Sequence, residues 1–230
     1  MTSKELALFL DSTILKDDAT KEEINQLCVD AKKYGFKSVC INPYYIEYAK
    51  SILEGSNVLV CTVIGFPLGM NTLETKLYET KNAISLGADE IDMVINVANL
   101  KSLDLEKCVH EINAIKKECG SKILKVIVET CQLSLEQREF ACNVVAKSNA
   151  DFIKTSTGFI GSGANLDDIK LWKTILNGKK LIKAAGGIRD LQTCLDFIKA
   201  GSDRIGTSNA KAIIEGINNE SNIKSKQQNN

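Results

Sequence analysis

The sequence predicts an α/β fold, a (β/α)8 barrel that forms one domain. Short runs rich in β-branched residues alternate eight times with longer helical patterns, and this alternation is typical of a parallel sheet. Eight strand–helix units within about 215 residues favour a closed TIM barrel over an open doubly wound sheet.

The eight predicted strands are spaced so that one helix fits between each pair. In chain order they are Ala7–Thr13, Ser38–Asn42, Val58–Gly65, Glu90–Asn96, Ile123–Glu129, Phe152–Ser156, Lys180–Ala185 and Arg204–Thr207. The third and fifth are nearly continuous apolar runs, as expected of parallel strands covered by helices.

Amphipathic helices are predicted between these strands from apolar residues three and four positions apart. Such stripes run through residues 24–31, 105–115 and 191–198. Thr20-x-x-Glu23 and Ser134-x-x-Gln137 predict capping boxes where helices begin. Left-handed residues that end helices are predicted at Gly35, Gly87, Gly178 and Gly201.

Composition and charge argue against several classes of partner. Lys and Arg together number 29, as do Asp and Glu, and without a basic cluster no nucleic-acid partner is expected. No stretch reaches the roughly 18 apolar residues of a membrane span, and residues 1–10 lack the apolar centre of a signal peptide. The eight scattered cysteines predict reduced thiols and, with no secretory signal, a cytoplasmic protein.

The end of the chain differs from the rest. Residues 218–230 are polar and contain almost no core-forming side chains. A segment of this composition is expected to be disordered, so the predicted barrel domain spans residues 1–217.

Three charged residues inside predicted strands are the candidate catalytic groups. They are Asp92 in the fourth strand, Lys154 in the sixth and Lys183 in the seventh. Because strand residues alternate in direction, the apolar neighbours of all three would face the helices and the charged side chains the barrel interior. Barrel layers are built from alternate strands, so Asp92 and Lys154 are expected to meet at one cavity, beside Lys183.

This grouping suits Schiff-base chemistry. A lysine amine attacks a carbonyl only when it is unprotonated, although the usual lysine pKa is about 10.4. Burial or a second cation favours the neutral amine, and Lys183 could be that cation for Lys154. Asp92 could move protons through water while a carbinolamine forms and dehydrates.

Structural roles for strand lysines remain open at this stage, since buried ion pairs are often structural. Lys125 shares a strand face with Glu129, which predicts a structural ion pair between these two residues. Glu129 and Thr130 end the same strand and could line the pocket.

Glycine-rich loops predict a phosphate site. Gly186-Gly187-Ile188-Arg189 follows the seventh strand, and Gly206-Thr207-Ser208-Asn209 follows the eighth and opens a helix. Loops at these two places often bind phosphate in a barrel, because glycines let backbone N–H groups approach the anion. Simple turn chemistry is the alternative explanation for the glycines.

Two further features carry less weight. The cluster Gly158-Phe159-Ile160-Gly161-Ser162-Gly163 does not follow the order of a dinucleotide-binding motif, so a flexible loop beside Lys154 is the preferred interpretation. His110, the only histidine, falls off the apolar stripe of its helix, and no metal-ligand spacing is present. A zinc-dependent aldolase is therefore not expected.

Several longer segments are specific enough to compare with known families. They are GADEIDMVIN at 87–96, FIKTSTGF at 152–159 and KAAGGIR at 183–189, with supporting pieces VCINP at 39–43, GFPLG at 65–69 and RIGTS at 204–208. In these segments the chain resembles the deoxyribose-phosphate aldolase family of class I aldolases, from about Leu10 to Gly216.

The resemblance implies reversible cleavage of 2-deoxy-D-ribose 5-phosphate to D-glyceraldehyde 3-phosphate and acetaldehyde, in deoxynucleoside catabolism, without a metal or organic cofactor. It implies that Lys154 forms the Schiff base and that Asp92 and Lys183 transfer protons. It places Asp11, Thr13 and Cys40 near the sugar hydroxyls and makes a homodimer plausible. The implied phosphate contacts are Gly158, Gly186, Gly187, Ile188, Gly206, Ser208 and Asn209. Arg189, in the loop after the seventh strand, is added to them as a further candidate phosphate contact.

Two rival functions remain at this stage. Another Schiff-base aldolase, such as a transaldolase-like enzyme, would share Lys154 and the phosphate loops without the whole motif set. A phosphosugar-binding protein that has lost catalysis is the alternative outside enzymes, and the presence of Asp92, Lys154 and Lys183 argues against it.

Overall fold

Eight parallel strands close into a barrel in the computed structural model, which describes residues 1–218. Each strand pairs with the next along the chain, and the last returns to pair with the first. This topology confirms the predicted (β/α)8 TIM barrel. The strands are β1 Leu10–Ile14, β2 Ser38–Ile41, β3 Leu59–Ile64, β4 Glu90–Val94, β5 Ile123–Ile127, β6 Phe152–Lys154, β7 Leu181–Ala185 and β8 Arg204–Thr207.

Helices surround the barrel and connect its strands. They are α1 Ser3–Ala7, α2 Lys21–Tyr34, α3 Ile46–Leu53, α4 Leu73–Ser85, α5 Val97–Lys101, α6 Leu105–Cys119, α7 Leu135–Lys147, α8 Leu166–Leu176, α9 Leu191–Ala200 and α10, residues 210–218. Two short 3-10 turns, Pro43–Tyr45 and Thr130–Gln132, follow β2 and β5.

The first strand begins later than the sequence predicts. Residues Ser3–Ala7, whose last member was expected to start β1, form helix α1 instead. Thr2 and Glu5 make a capping box at its start, and the buried side chain of Leu6 anchors the helix to the core. A local helix signal therefore overrides the strand pattern at Ala7.

The predicted helix boundaries are confirmed where they rest on side-chain chemistry. Thr20 and Ser134 both accept hydrogen bonds in complete capping boxes. Gly35 and Gly201 adopt left-handed conformations as C-caps, which glycine does without a Cβ clash.

The barrel has two interiors of opposite character. Strand residues that face the helices, such as Ile91 and Met93, belong to one large apolar core. Residues that alternate with them, such as Glu90 and Asp92, are also fully buried but point into the barrel. The polar chemistry is thus concentrated along the barrel axis.

The remaining sequence predictions concern thiols, membranes and the tail. All eight cysteines are free thiols, and seven are buried, as predicted. No helix among the described residues is long and apolar enough to cross a membrane. The tail predicted to be disordered comprises residues 218–230: Asn218 is described and lies in α10, whereas residues 219–230 lie outside the described residues, so the domain boundary at residue 217 stays a prediction.

Candidate active site

Lys154 is the last residue of β6 and lies almost fully buried at the end of the barrel axis. Its Nζ is 2.8 Å from Oδ2 of Asp92, and Nζ of Lys183 is 2.7 Å from the same oxygen. Strand alternation therefore placed all three side chains correctly inside the barrel. The Nζ atoms of the two lysines share one carboxylate oxygen.

A chain of ion pairs continues below this trio. Lys125 lies 2.8 Å from Oδ1 of Asp92 and 2.6 Å from Oε2 of Glu90. Arg204 lies 2.8 Å from the same oxygen of Glu90 and also pairs with Asp11. Each of these two cations therefore bridges two carboxylates.

Lys183 closes the chain of ion pairs into a ring. Its Nζ is 2.6 Å from Oδ2 of Asp11 and 2.7 Å from Oδ2 of Asp92. Anions and cations alternate all the way around, and no member has more than 4% of its side chain exposed. We call this set the charge ring; its members are Asp11, Glu90, Asp92, Lys125, Lys183 and Arg204.

The charge ring keeps its members ionised. Burial by itself would raise the pKa of Asp92, but Lys125, Lys154 and Lys183 hold that pKa well below its ordinary value. Burial by itself would lower the pKa of Lys183, but the carboxylates of Asp11 and Asp92 raise it above its ordinary value. Lys183 is thus a fixed cation beside Lys154, as the sequence predicted.

The predicted ion pair between Lys125 and Glu129 is wrong. Lys125 is a member of the charge ring, whereas the carboxylate of Glu129 accepts hydrogen bonds from the backbone N–H and hydroxyl of Thr157. The strand ends at Ile127, and Glu129 beyond it has a left-handed backbone with a φ of 53°. The alternation of β5 therefore does not extend to Glu129, and the predicted shared strand face does not exist.

Asp92 is saturated with donors. Besides the three lysines, the thiol of Cys61 lies 3.1 Å from its Oδ1. Cys40, Cys61 and Asp92 offer ligand atoms within 4.8 Å of one another, a proximity that sequence spacing did not reveal. Because three lysine side chains already occupy Asp92, a further cation is disfavoured here, and we assign no metal site to this group.

A cavity of about 210 Å³ opens above Lys154 at the C-terminal end of the strands. This is the end at which barrel active sites are built. The predicted residues that line it are Thr13, Lys154, Gly158, Gly186, Gly187, Ile188, Arg189, Gly206 and Ser208. Lys154 lines the base of this cavity and the charge ring lies beneath Lys154, without lining the cavity itself; we call Lys154 and the charge ring together the floor. Residues 157–159, 186–189 and 206–208 line the rim of the cavity, and the loop that continues to Gly163 packs against Gly186.

The rim is shaped by backbone contacts between loops. Gly163 and Gly186 both have positive φ angles, and a Cβ on Gly163 would lie 2.5 Å from the backbone of Gly186. Thr207 donates a hydrogen bond of 2.6 Å from its hydroxyl to the carbonyl of Ile188. The glycine cluster at 158–163 is therefore packed against the loop after β7.

Asn209 lies just behind the cavity wall. Its side-chain amide donates to the carbonyl of Arg189 at 3.3 Å, and its backbone N–H donates to the hydroxyl of Thr207. Asn209 thus ties together the two loops predicted to bind phosphate.

The three predicted sugar contacts divide between two depths. Thr13 lines the cavity, and its hydroxyl donates to the carbonyl of Asp11 at 2.9 Å. Asp11 is fully buried in the charge ring, and Cys40 is fully buried beside Cys61. The structure therefore places only Thr13 of the three on the cavity surface.

Several cavity residues have no counterpart among the sequence predictions. Leu15, Thr157, Phe159, Ala185 and Thr207 all line it. The ring of Phe159 packs edge-on against Phe66, with centroids 5.1 Å apart. Strand parity could have suggested Leu15 and Ala185, which continue the inward faces of β1 and β7. His110 is solvent-exposed, as predicted.

Comparison with known proteins gives one consistent family. The family model described as DeoC/LacD family aldolase matches residues 6–215. The chain is 56% identical to the deoxyribose-phosphate aldolase of Malacoplasma penetrans, over 94% of this chain and 98% of the relative. It is 58% identical to that of Ureaplasma parvum serovar 3, over 90% of this chain and 96% of the relative.

Among solved structures, the tetrameric deoxyribose phosphate aldolase from Aeropyrum pernix superposes with a TM-score of 0.86. Its sequence identity is 32%, with 93% of this chain and 91% of that chain covered. Sequence and fold therefore point to the same set of proteins.

Proposed function

This chain belongs to the DeoC/LacD family of aldolases, and from that premise we propose that it cleaves 2-deoxy-D-ribose 5-phosphate to D-glyceraldehyde 3-phosphate and acetaldehyde. The reaction is reversible. One observation carries the proposal: a buried amine, that of Lys154, faces a cavity with the charge ring below it and glycine-rich loops around it. The identity of the substrate is inferred from the relatives, which are named deoxyribose-phosphate aldolases.

Lys154 is the nucleophile in this proposal. Its neutral amine attacks the aldehyde carbon, C1, of the open-chain sugar, and loss of water from the carbinolamine gives an iminium ion. The iminium carries a positive charge at the same place as the original ammonium. Asp92, 2.8 Å from Nζ, therefore stabilises that charge as it forms.

Carbon–carbon cleavage follows from the iminium. The C3 hydroxyl loses its proton, the bond between C2 and C3 breaks, and its electron pair flows into the iminium to give an enamine. D-Glyceraldehyde 3-phosphate leaves. Protonation of the enamine at C2 and addition of water then release acetaldehyde and restore the free amine of Lys154.

Asp92 and Lys183 manage the protons through water. The pKa of Asp92 is held low by its three lysine partners and that of Lys183 is raised by two carboxylates, so neither gives up or takes a proton easily by itself. A water molecule hydrogen-bonded to this pair can carry the proton between the substrate oxygen and the carbinolamine.

The rim holds the phosphate. Backbone N–H groups of the loops after β7 and β8, the start of α10 and the hydroxyl of Ser208 offer donors to an anion. Arg189 is exposed at the same edge of the cavity and adds a positive charge. The phosphate thereby positions C1 of the substrate over Lys154.

The partners of the enzyme are small phosphosugars and aldehydes. We propose that it acts in the cytoplasm as a homodimer; the Aeropyrum pernix relative is tetrameric. Light scattering on the eluted full chain gives the oligomer mass, and a monomer would contradict the dimer.

An assay of both products tests the function. We expect 2-deoxy-D-ribose 5-phosphate to give equal amounts of acetaldehyde and D-glyceraldehyde 3-phosphate. Unphosphorylated 2-deoxy-D-ribose should react with a kcat/KM lower by about a hundredfold or more, because binding energy from the phosphate is used at the reacting carbon. Absence of products would refute the activity, and equal kcat/KM for both sugars would refute the phosphate site.

A further inference from the structure

In the floor of the cavity, basic side chains outnumber carboxylates by one. Three carboxylates of the charge ring face four basic side chains when Lys154 is included. Lys125, Lys183 and Arg204 each contact two carboxylates, whereas Lys154 contacts only Asp92. The charge ring is therefore neutral by itself, and a protonated Lys154 makes the floor positive.

We propose that the charge ring sets the protonation of Lys154, and that Lys125 and Glu90 are positioning residues for the aldol reaction through their charges. The inference rests on the proposed function, in which Lys154 must be a neutral amine to attack the sugar. Neither Lys125 nor Glu90 lines the cavity, so both act through Asp92.

Burial makes the charge count decisive. Lys125 and Glu90 are fully buried, and charges in such surroundings interact far more strongly than in water. Lys154 can release its proton and leave three anions opposite three cations. Loss of a proton from any other basic side chain would leave two carboxylates each short of a partner.

Lys125 also orients the carboxylate that contacts the nucleophile. It holds Oδ1 of Asp92 at 2.8 Å, which turns Oδ2 toward Lys154 and Lys183. The pKa of Lys125 is raised well above its ordinary value, because the neighbouring carboxylates and Cys61 outweigh the effect of burial. Lys125 is thus a permanent charge.

The surroundings of Lys154 contain few other ionisable groups. The strands around the described barrel axis contribute only the following inward-facing titratable side chains: Asp11 on β1, Cys40 on β2, Cys61 on β3, Glu90 and Asp92 on β4, Lys125 on β5 with Glu129 just beyond it, Lys183 on β7 and Arg204 on β8. Beyond the strands, Arg189 lines the same cavity as Lys154. The charge ring supplies the carboxylate in direct contact with Lys154, that of Asp92 at 2.8 Å, whereas the carboxylate of Glu129 binds Thr157.

Three variants test the inference: Lys125→Met, Glu90→Gln and the two together. The measurement is kcat/KM for 2-deoxy-D-ribose 5-phosphate between about pH 5 and pH 10, which reports ionisation in the free enzyme. Lys125→Met gives the ring a net negative charge, so Lys154 keeps its proton to a higher pH. The acid limb of the pH profile should move up by about one pH unit or more, which lowers kcat/KM about tenfold at pH values on that limb while the high-pH plateau changes less.

The other two variants are charge-matched controls. Glu90→Gln makes the ring positive and should move the acid limb in the opposite direction. The double variant removes one charge of each sign, so its acid limb should return close to the wild-type position. A purely structural role for these residues predicts lower plateaus, with no opposed shifts and no restoration.

Outcomes that overturn the inference are distinct from those that overturn the function. If borohydride reduction of the wild type with acetaldehyde gives no adduct on Lys154, the proposed function fails. If that adduct forms but the Lys125→Met limb stays at the wild-type pH, only the inference fails. Thermal unfolding checks each fold, and Lys125→Gln, also neutral, replaces Lys125→Met if the methionine variant does not fold.

Discussion

The floor and the rim of the cavity hold the substrate by different physical means. The floor consists of buried side chains. Their charges alternate around the charge ring, and Lys154 is attached to the ring through Asp92. The rim consists largely of backbone, with glycines at positive φ angles packed against each other. The floor therefore depends on which charges are present, and the rim on where the backbone runs.

This difference predicts which kinetic constant each region controls. Changes in the floor alter a group that reacts, so they should lower kcat. Changes in the rim alter binding of a remote phosphate, so they should act mainly on KM. Each substitution below should fall on one side of that division.

The largest effect is expected for Lys154→Met. Loss of the amine removes the only route to an iminium at this site, so kcat should fall by at least about a thousandfold. Binding of the phosphosugar, measured by calorimetry, should change much less because the rim is untouched. A variant that retains more than a tenth of wild-type kcat would remove Lys154 from the reaction.

A smaller effect is expected for Gly163→Ala in the rim. The new Cβ would lie 2.5 Å from the backbone of Gly186, so the loop after β7 must move and KM should rise about tenfold, equivalent to about 1.4 kcal/mol. Gly35→Ala is the control: Gly35 has a similar φ angle but no atom within 4 Å of a Cβ. If both variants raise KM equally, general backbone strain explains the effect and the rim contact does not.

The smallest effect is expected for Arg189→Gln. This side chain is exposed at the cavity edge, where solvent and salt screen its charge. KM for the phosphorylated sugar should rise a few-fold at low ionic strength, and the difference should shrink as salt is added. A change in kcat that persists at high salt would place Arg189 among the reacting groups.

The sequence predicted the barrel and the three central residues because both depend on local repeats. Strand alternation is a property of each strand by itself, so Asp92, Lys154 and Lys183 could be assigned to the interior without knowing their neighbours. The glycine-rich loops after β7 and β8 could also be predicted from local sequence, because the glycines follow directly after predicted strands. Their place at the C-terminal end of the barrel follows from the fold class.

The charge ring could not be predicted in the same way. Its contacts join residues as distant in sequence as Asp11 and Arg204, and they depend on how the strands are staggered around the barrel. The mistaken pair of Lys125 with Glu129 shows the limit, since the strand was predicted to run to Glu129 but ends at Ile127. The place of Asp11 in the ring, below the cavity, required the closed barrel for the same reason.

The mass of the protein after borohydride reduction with acetaldehyde tests the central claim most directly. We expect a single added ethyl group, mapped by peptide fragmentation to Lys154, with Lys125 and Lys183 unmodified because both remain paired ammonium groups. An adduct on Lys183 or Lys125, or none at all, would contradict a site in which Lys154, paired with Asp92 alone among the described residues, is the amine that captures the aldehyde.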